Sequence, residues 1–354
     1  MKASLLQKLL DKPEIVIEKL NLVYITDDKM PIVRLKQGED FQYRYLNKPL
    51  KRKEDLDRIN TLVIPPAWQA VKITDLPNGH LQAVGRDAKK RKQYKYHTLW
   101  TKARKQTKFY RMANFGAVLP NIRNTVDTHL VQESWSKTKI LALVVRLMEE
   151  THIRIGNEQY ARRNKTYGLS TLRKRHVTIE TNKIKFEFKG KRGKEHTITL
   201  RNKKLIKLVS ECEEIPGWEL FNYYDDNGDK QQIDSGMVND YLKDITGMHF
   251  TAKDFRTWAA GVVFFNCLMD MAPTSEKTQI NKNILQAYDE TAKALGNTRK
   301  VCRKSYVHPL LPIAYEKGEL GSYFEKTIQS ETKTNFSPSE TALQELISNY
   351  KPQF

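Results

Sequence analysis

The chain has 354 residues, 39% of them hydrophobic and 29% charged, and carries a formal net charge of +20. That length allows two domains and a well-buried core, and the charge excess predicts attraction to a polyanion, with a generic basic surface of the ribosomal-protein kind as the alternative. The longest apolar stretches, 140–148 and 259–271, are interrupted by Arg146 and Asn266, which excludes a bilayer span, and Cys212, Cys267 and Cys302 are too widely spaced for a CxxC zinc site or a disulfide framework. The first ten residues are too short and too polar for a secretion signal, so a reducing cytoplasm is the expected compartment.

Up to about Gly85 the chain reads as β-rich. Short β-prone runs begin at Val23, Ile32, Phe41 and His80, separated by Asp-Asp, Gly-Glu and Pro-Asn-Gly turn signals, and Pro65-Pro-Ala-Trp68 breaks the pattern. Next comes a window without acidic residues, 88–126, in which Lys89, Lys90, Arg91 and Lys92 precede Gln93-Tyr94-Lys-Tyr96. Lysines for phosphates beside Gln and Tyr for base edges are what a groove-reading segment needs; a strand edge with two packed tyrosines is the alternative. From about Tyr96 the period becomes helical, as at 140–148 and 237–245. One β island interrupts it, 176–188 and 195–200, with an exposed Gly-Lys191-Arg-Gly-Lys tip whose glycine spacing is not that of a phosphate-cradling loop. A second basic region, 162–207, is followed by an acidic one, which suggests a cationic inner face and a less cationic outer one. Asp225-Asp-Asn-Gly-Asp229 lacks the glycine position and closing glutamate of a calcium loop and reads as a turn. Residues 329–335 read as a loose linker, and Ser337-Pro-Ser-Glu340 as a capping box with Pro at the first helical position.

The candidate chemistry centres on Tyr306, set in the cationic run that begins at Asn297. A tyrosine serves as a nucleophile only where something offsets the charge that builds during its attack. Arg154 and Arg256, each within what reads as a helix, are candidates to supply that charge, since a guanidinium presents two N–H donors to phosphate at any working pH. Taken one at a time, each residue has a plainer reading. The arginines suit DNA-backbone contacts, Lys191 a solvated turn, Asn297 the end of a helix after Leu295-Gly296, and Tyr306 a packed core. The eight histidines show no HExxH or triad spacing.

Six motifs then resemble the type IB DNA topoisomerases of the small poxvirus and bacterial kind. They are Arg154-Ile-Gly-Asn-Glu-Gln-Tyr160, Asn164-Lys-Thr-Tyr-Gly-Leu-Ser-Thr-Leu172, Lys174-Arg-His-Val177, Phe188-Lys-Gly-Lys191, Lys253-Asp-Phe-Arg256-Thr-Trp and Arg303-Lys-Ser-Tyr306. The resemblance runs from about residue 20 to 325. It implies an α+β protein with a small β-rich N-terminal domain (1–95), a larger, mainly helical catalytic domain carrying a β-hairpin (96–325) and a C-terminal tail with a short helix (326–354). It matches Tyr306 to the nucleophile, Arg154 and Arg256 to the catalytic arginines, and Lys191 to the general-acid lysine. Gln93, Tyr94, Tyr96 and Tyr160 match DNA-contacting positions. Where poxvirus members carry a histidine nine residues before the nucleophile, this chain has Asn297, which donates a hydrogen bond but carries no charge.

The expectation is a monomer that closes around duplex DNA and relaxes positive and negative supercoils through a 3′-phosphotyrosyl intermediate, with no metal, ATP or other cofactor. A tyrosine recombinase is the nearest alternative. It typically shows His-x-x-Arg where this chain has Lys253-Asp-Phe-Arg256, and a helical rather than β-rich N-terminal half. A non-catalytic architectural DNA binder is the alternative of a different class.

Overall fold

The computed structural model describes residues 17–331 and 335–350. Contacts divide the chain at Lys108 and Phe109 into two compact units.

In the first unit, antiparallel strands β1 (Ile32–Gln37), β2 (Asp40–Tyr45), β3 (Lys48–Pro49), β4 (Gln69–Ile73), β5 (Leu81–Arg86) and β6 (Lys92–Tyr96) form one sheet in the order β3-β2-β1-β4-β5-β6. Alternation along β1 sends Ile32 and Arg34 inward while Val33 and Leu35 face outward. Ile32, Val71, Ile73 and Ala83 build a core on which helix α1 (Lys53–Thr61) places Ile59. Arg34 is buried because its guanidinium finds backbone partners there. It donates to the carbonyls of Ile64 (3.2 Å), Pro65 (3.0 Å) and Trp68 (2.8 Å) and lies 4.1 Å over the Phe41 ring. That cluster fixes the Pro65-Pro-Ala-Trp68 break, which the strand β4 then follows. The Val23 run, expected as a strand, is reduced to a single bridge with Gly79.

Helix α2 (Thr98–Leu130) contains the division between the units. The second unit is mainly helical. Helix α3 (Lys137–Thr151) begins at Ser136, whose Oγ accepts from Lys139 N, and buries every residue from Lys139 to Val145. Helices α4 (Glu158–Asn164), α5 (Lys203–Glu214), α6 (Ser235–Thr246), α7 (Ala252–Met269), α8 (Lys277–Ala294), α9 (Arg299–Ser305), α10 (Leu310–Glu316), α11 (Gly321–Gln329) and α12 (Pro338–Ser348) follow. Between α4 and α5 the antiparallel strands β7 (Val177–Glu180), β8 (Lys183–Lys189) and β9 (Glu195–Leu200) form the expected small sheet. The Asp225–Asp229 segment is the expected turn, joining β10 (Asn222–Tyr224) to β11 (Lys230–Gln232), with Asp225 Oδ1 accepting from Asn227 N and Asp229 N. Ser337 caps α12 as its sequence predicts. The α+β class expected from the sequence holds.

Among the described residues no helix is long and apolar enough to cross a membrane. The first ten residues and 332–334 of the expected linker lie outside the described residues.

Candidate active site

Helix α7 is started by Asp254, whose Oδ2 accepts from Thr251 N (2.8 Å) and Thr251 Oγ1 (2.9 Å). Two residues further on it presents Arg256, as expected on a helix and only 4% exposed. Arg256 Nη2 donates to the Leu295 carbonyl at 2.7 Å and Nη1 to the His152 carbonyl, while Nε is buried without a hydrogen-bond partner among the described residues. Burial, followed by the nearby Arg154 charge, pushes the guanidinium pKa down to about 10, which still leaves it charged at neutral pH.

Arg154 departs from expectation. It does not lie on a helix. Helix α3 ends at His152, which adopts a left-handed conformation (φ 54°) and whose N–H caps the Met148 carbonyl. The chain then runs without regular secondary structure, and the carbonyls of Arg154 and Ile155 accept from Leu169 N (2.8 Å) and Ser170 N (2.7 Å). The helix reading failed because the β-branched Ile153 and Ile155 and then Gly156 favour an extended chain once a neighbouring segment offers backbone partners. Arg154 Nη2 donates to Asn297 Oδ1.

Asn297 lies at a helix end, as its plainer reading has it. Its N–H satisfies the Ala292 carbonyl (2.8 Å) just past the end of α8, and its side chain reaches Arg154. Its Nδ2 is buried, close to the Cys302 thiol. Thr298 then caps α9, and Tyr306 stands at the far end of that short helix, half-buried, its N–H bonded to the Cys302 carbonyl at 3.0 Å. The Arg256 guanidinium carbon is 5.6 Å from the centroid of the Tyr306 ring.

Lys191 sits at the exposed turn between β8 and β9, closed by bonds from Gly190 N to the Lys194 carbonyl (2.7 Å) and from Gly193 N to the Gly190 carbonyl (3.0 Å). It lines a cavity of about 190 Å³ together with Arg154, His152 and Leu295. The carbonyls of those last two residues are the ones that hold Arg256. Four predicted residues are thus joined by direct contact in two pairs, Arg256 with Tyr306 and Arg154 with Asn297, and the cavity wall links both pairs to Lys191. The arrangement offers two fixed cations, one neutral donor, one exposed ammonium and a phenol.

The sequence missed His196, which lines the same cavity. Its signal was the alternation on β9. Leu200 and Ile198 point toward the core, so His196 shares their face.

The expected DNA-contacting residues fall in both units. Gln93, Tyr94 and Tyr96 lie on β6, an edge of the six-stranded sheet, where both tyrosines are exposed and their rings stack at 5.9 Å. Gln93 Nε2 donates to Asp87 (3.0 Å), Arg91 pairs with Asp87 (2.7 Å) and Lys92 with Asp27 (2.7 Å). Lys89 and Lys90 are exposed in the preceding turn. In the second unit Tyr160 is exposed on α4, which Asn157 caps.

Two family models match this chain. The catalytic core of eukaryotic DNA topoisomerase I matches residues 89–327, and the N-terminal domain of bacterial DNA topoisomerase IB matches 40–87. DNA topoisomerase 1B of Acanthamoeba polyphaga mimivirus is 35% identical over 285 residues, which are 78% of this chain and 84% of that protein. DNA topoisomerase 1B of vaccinia virus (strain Copenhagen) is 26% identical over 233 residues, 63% of this chain and 69% of that protein. DNA topoisomerase 1 alpha of Arabidopsis thaliana is 26% identical over 200 residues, 55% of this chain and 21% of that protein.

Proposed function

The chain belongs to the type IB DNA topoisomerase family, and from that premise we propose that it relaxes positive and negative supercoils in duplex DNA by opening and resealing one strand. In this reading residues 1–95 are a DNA-clamping domain, 96–325 the catalytic domain and 326–354 a tail, and the protein acts as a monomer. Lys89, Lys90, Arg91 and Lys92 neutralise phosphates, while Gln93, Tyr94, Tyr96 and Tyr160 contact bases and backbone.

Tyr306 Oη attacks a backbone phosphorus. A bond from Oη to phosphorus forms and the bond from phosphorus to the 5′ oxygen breaks, leaving a 3′-phosphotyrosyl ester and a free 5′-hydroxyl strand. The phenol, with an ordinary pKa of about 10, gives its proton to solvent as the bond forms. Arg154 and Arg256 stabilise the charge on the non-bridging oxygens, and Asn297 Nδ2 adds a neutral donor. The Lys191 ammonium gives a proton to the departing 5′ oxygen. While the strand is open, torsion turns the free end. The 5′-hydroxyl then attacks the phosphorus, returning its proton to Lys191, the bond from phosphorus to Tyr306 Oη breaks, and the phenol takes a proton back from solvent. The ester conserves the bond energy, so resealing needs no ATP, and the fixed cations take the part a metal plays elsewhere.

One observation carries this reading. A buried guanidinium, held by two backbone carbonyls, lies against the ring of the tyrosine at the end of α9. The test is relaxation of supercoiled plasmid in EDTA without nucleotide, with denaturant trapping of the covalent adduct. Wild type should relax both signs of supercoil and leave an adduct at Tyr306. Tyr306→Phe should bind DNA and do neither, and residual relaxation by that variant would refute the assignment.

A further inference from the structure

We propose that His196 is a positioning residue for the leaving-group half of the reaction, its imidazole spacing the Lys191 turn from the turn that carries Asn297. The inference rests on the reading of Lys191 as the proton donor.

His196 faces Phe188 directly across the β8–β9 register, and the two rings stack at 5.1 Å with a 14° interplanar angle. That contact fixes the plane of the imidazole. The ring edge then fills the space between two backbone turns. A Cβ built on Gly190 would fall 2.6 Å from His196 Cδ2, and one built on Gly296 would fall 2.6 Å from Cε1. Neither position accepts a side chain while the ring is in place, and Gly296 also holds a φ of +60° that favours glycine. Gly190 is bonded to Lys191 and Gly296 to Asn297. One flat ring therefore sets the spacing between the proposed proton donor and the proposed neutral phosphate donor.

The ring is suited to this as a neutral body. Burial first, then the charges of Arg154 and Lys194, hold its pKa below the ordinary histidine value, so it adds no cation to a site already rich in them. Proton transfer needs the donor within about 2.6–3.2 Å of the leaving oxygen. A misplacement of about 1 Å costs on the order of a hundredfold in rate.

The test compares two leaving groups at one cleavage site, mapped beforehand by trapping the adduct. One duplex carries the ordinary 5′ oxygen at the scissile phosphate, the other a bridging 5′ sulfur. A departing alkoxide needs a proton, whereas a thiol of pKa about 8.5 leaves as thiolate without one. His196→Ala should slow single-turnover cleavage of the oxygen duplex by about tenfold or more, and cleave the sulfur duplex within about threefold of wild type. Lys191→Ala should show the same restoration by sulfur, and Arg256→Ala should be slow on both. Equal slowing of His196→Ala on both duplexes, or none on either, overturns the inference while leaving Lys191 its role. Failure of sulfur to restore Lys191→Ala overturns that role, and the inference with it. Should His196→Ala not fold, Gly190→Ala displaces the ring instead of deleting it and decides the matter by the same comparison.

Discussion

Arg256 lies with its guanidinium carbon 5.6 Å from the centroid of the Tyr306 ring, and two carbonyls, those of His152 and Leu295, hold it there. The residues that supply these carbonyls follow the ends of two different helices, α3 and α8, so Arg256 ties three helices together at the point where Tyr306 is presented.

Replacement of Arg256 by lysine tests whether charge alone suffices. A single ammonium on a flexible stem cannot serve both carbonyls and also face the phenol, so at least one buried acceptor loses its partner at a cost of about 1–3 kcal/mol. Burial and the Arg154 charge already depress the guanidinium to about 10. The same forces should drive a lysine, which starts lower, toward neutrality. Arg256→Lys should therefore cleave about 10²–10³-fold more slowly than wild type. Because protonation restores the charge, the ratio of variant to wild-type rate should improve as pH falls from about 9 to about 7. A pH series of single-turnover cleavage rates measures this, and a pH-independent ratio would rule the argument out.

Much of this frame could be read from residue pattern. Strands β1, β2 and β5, the hairpin around Lys191, the helix bearing Arg256 and the Ser337 capping box all follow from local signals that tertiary packing did not oppose. Where the reading failed, long-range partners decided the outcome. Arg154 lies outside a helix because Leu169 and Ser170, each fifteen residues further on, donate to the carbonyls of Arg154 and Ile155, which no local window shows. Helix α1 escaped notice because its apolar content is small and Ile59 alone among its hydrophobic residues is fully buried. The carbonyls that hold Arg256 are backbone groups and carry no side-chain signature at all.

A second pH effect should appear in stability. His176 is buried, accepts from Arg173 N at 3.0 Å through Nδ1, and has its pKa pushed down to about 4 by burial and then by Arg175 and Arg173. A histidine depressed in the folded state binds its proton first in the unfolded chain. Between the unfolded pKa of about 6.5 and the folded value, unfolding takes up a proton, so stability rises with pH and is lost as pH falls through that window. The contribution of this one ring should be on the order of 1–2 kcal/mol after partial solvent screening. Thermal melts from pH 7 to pH 4 should fall steeply for wild type and less steeply for His176→Gln. Parallel curves would show that other groups govern acid sensitivity.

The last prediction concerns how α12 is secured to the helix that carries Arg256. Glu340, 5% exposed, accepts from Trp258 Nε1 (3.0 Å) and Arg123 Nη2 (2.7 Å) through Oε1, and from Arg123 Nη1 (2.9 Å) and Ser337 N (2.9 Å) through Oε2. Arg123 also bonds Glu149 through Nε at 2.7 Å, so one half-buried guanidinium bridges α2, α3 and α12. Burial works against the charge on Glu340, but the Arg123 bonds outweigh it and hold the carboxyl below its ordinary range. Glu340→Ala removes a helix cap, leaves the Trp258 N–H without its acceptor and strips one of two carboxylates from Arg123. Breaking a buried pair in this way should cost about 3–5 kcal/mol, or roughly 10 °C in melting temperature. Trp258 stands two residues from Arg256 on the same helix, so cleavage should slow along with the loss of stability. Calorimetry and single-turnover cleavage on the same preparation measure both. A variant that melts within about 1 kcal/mol of wild type would mean that apolar contacts of Leu343 and Ile347, not this network, hold the helix in place.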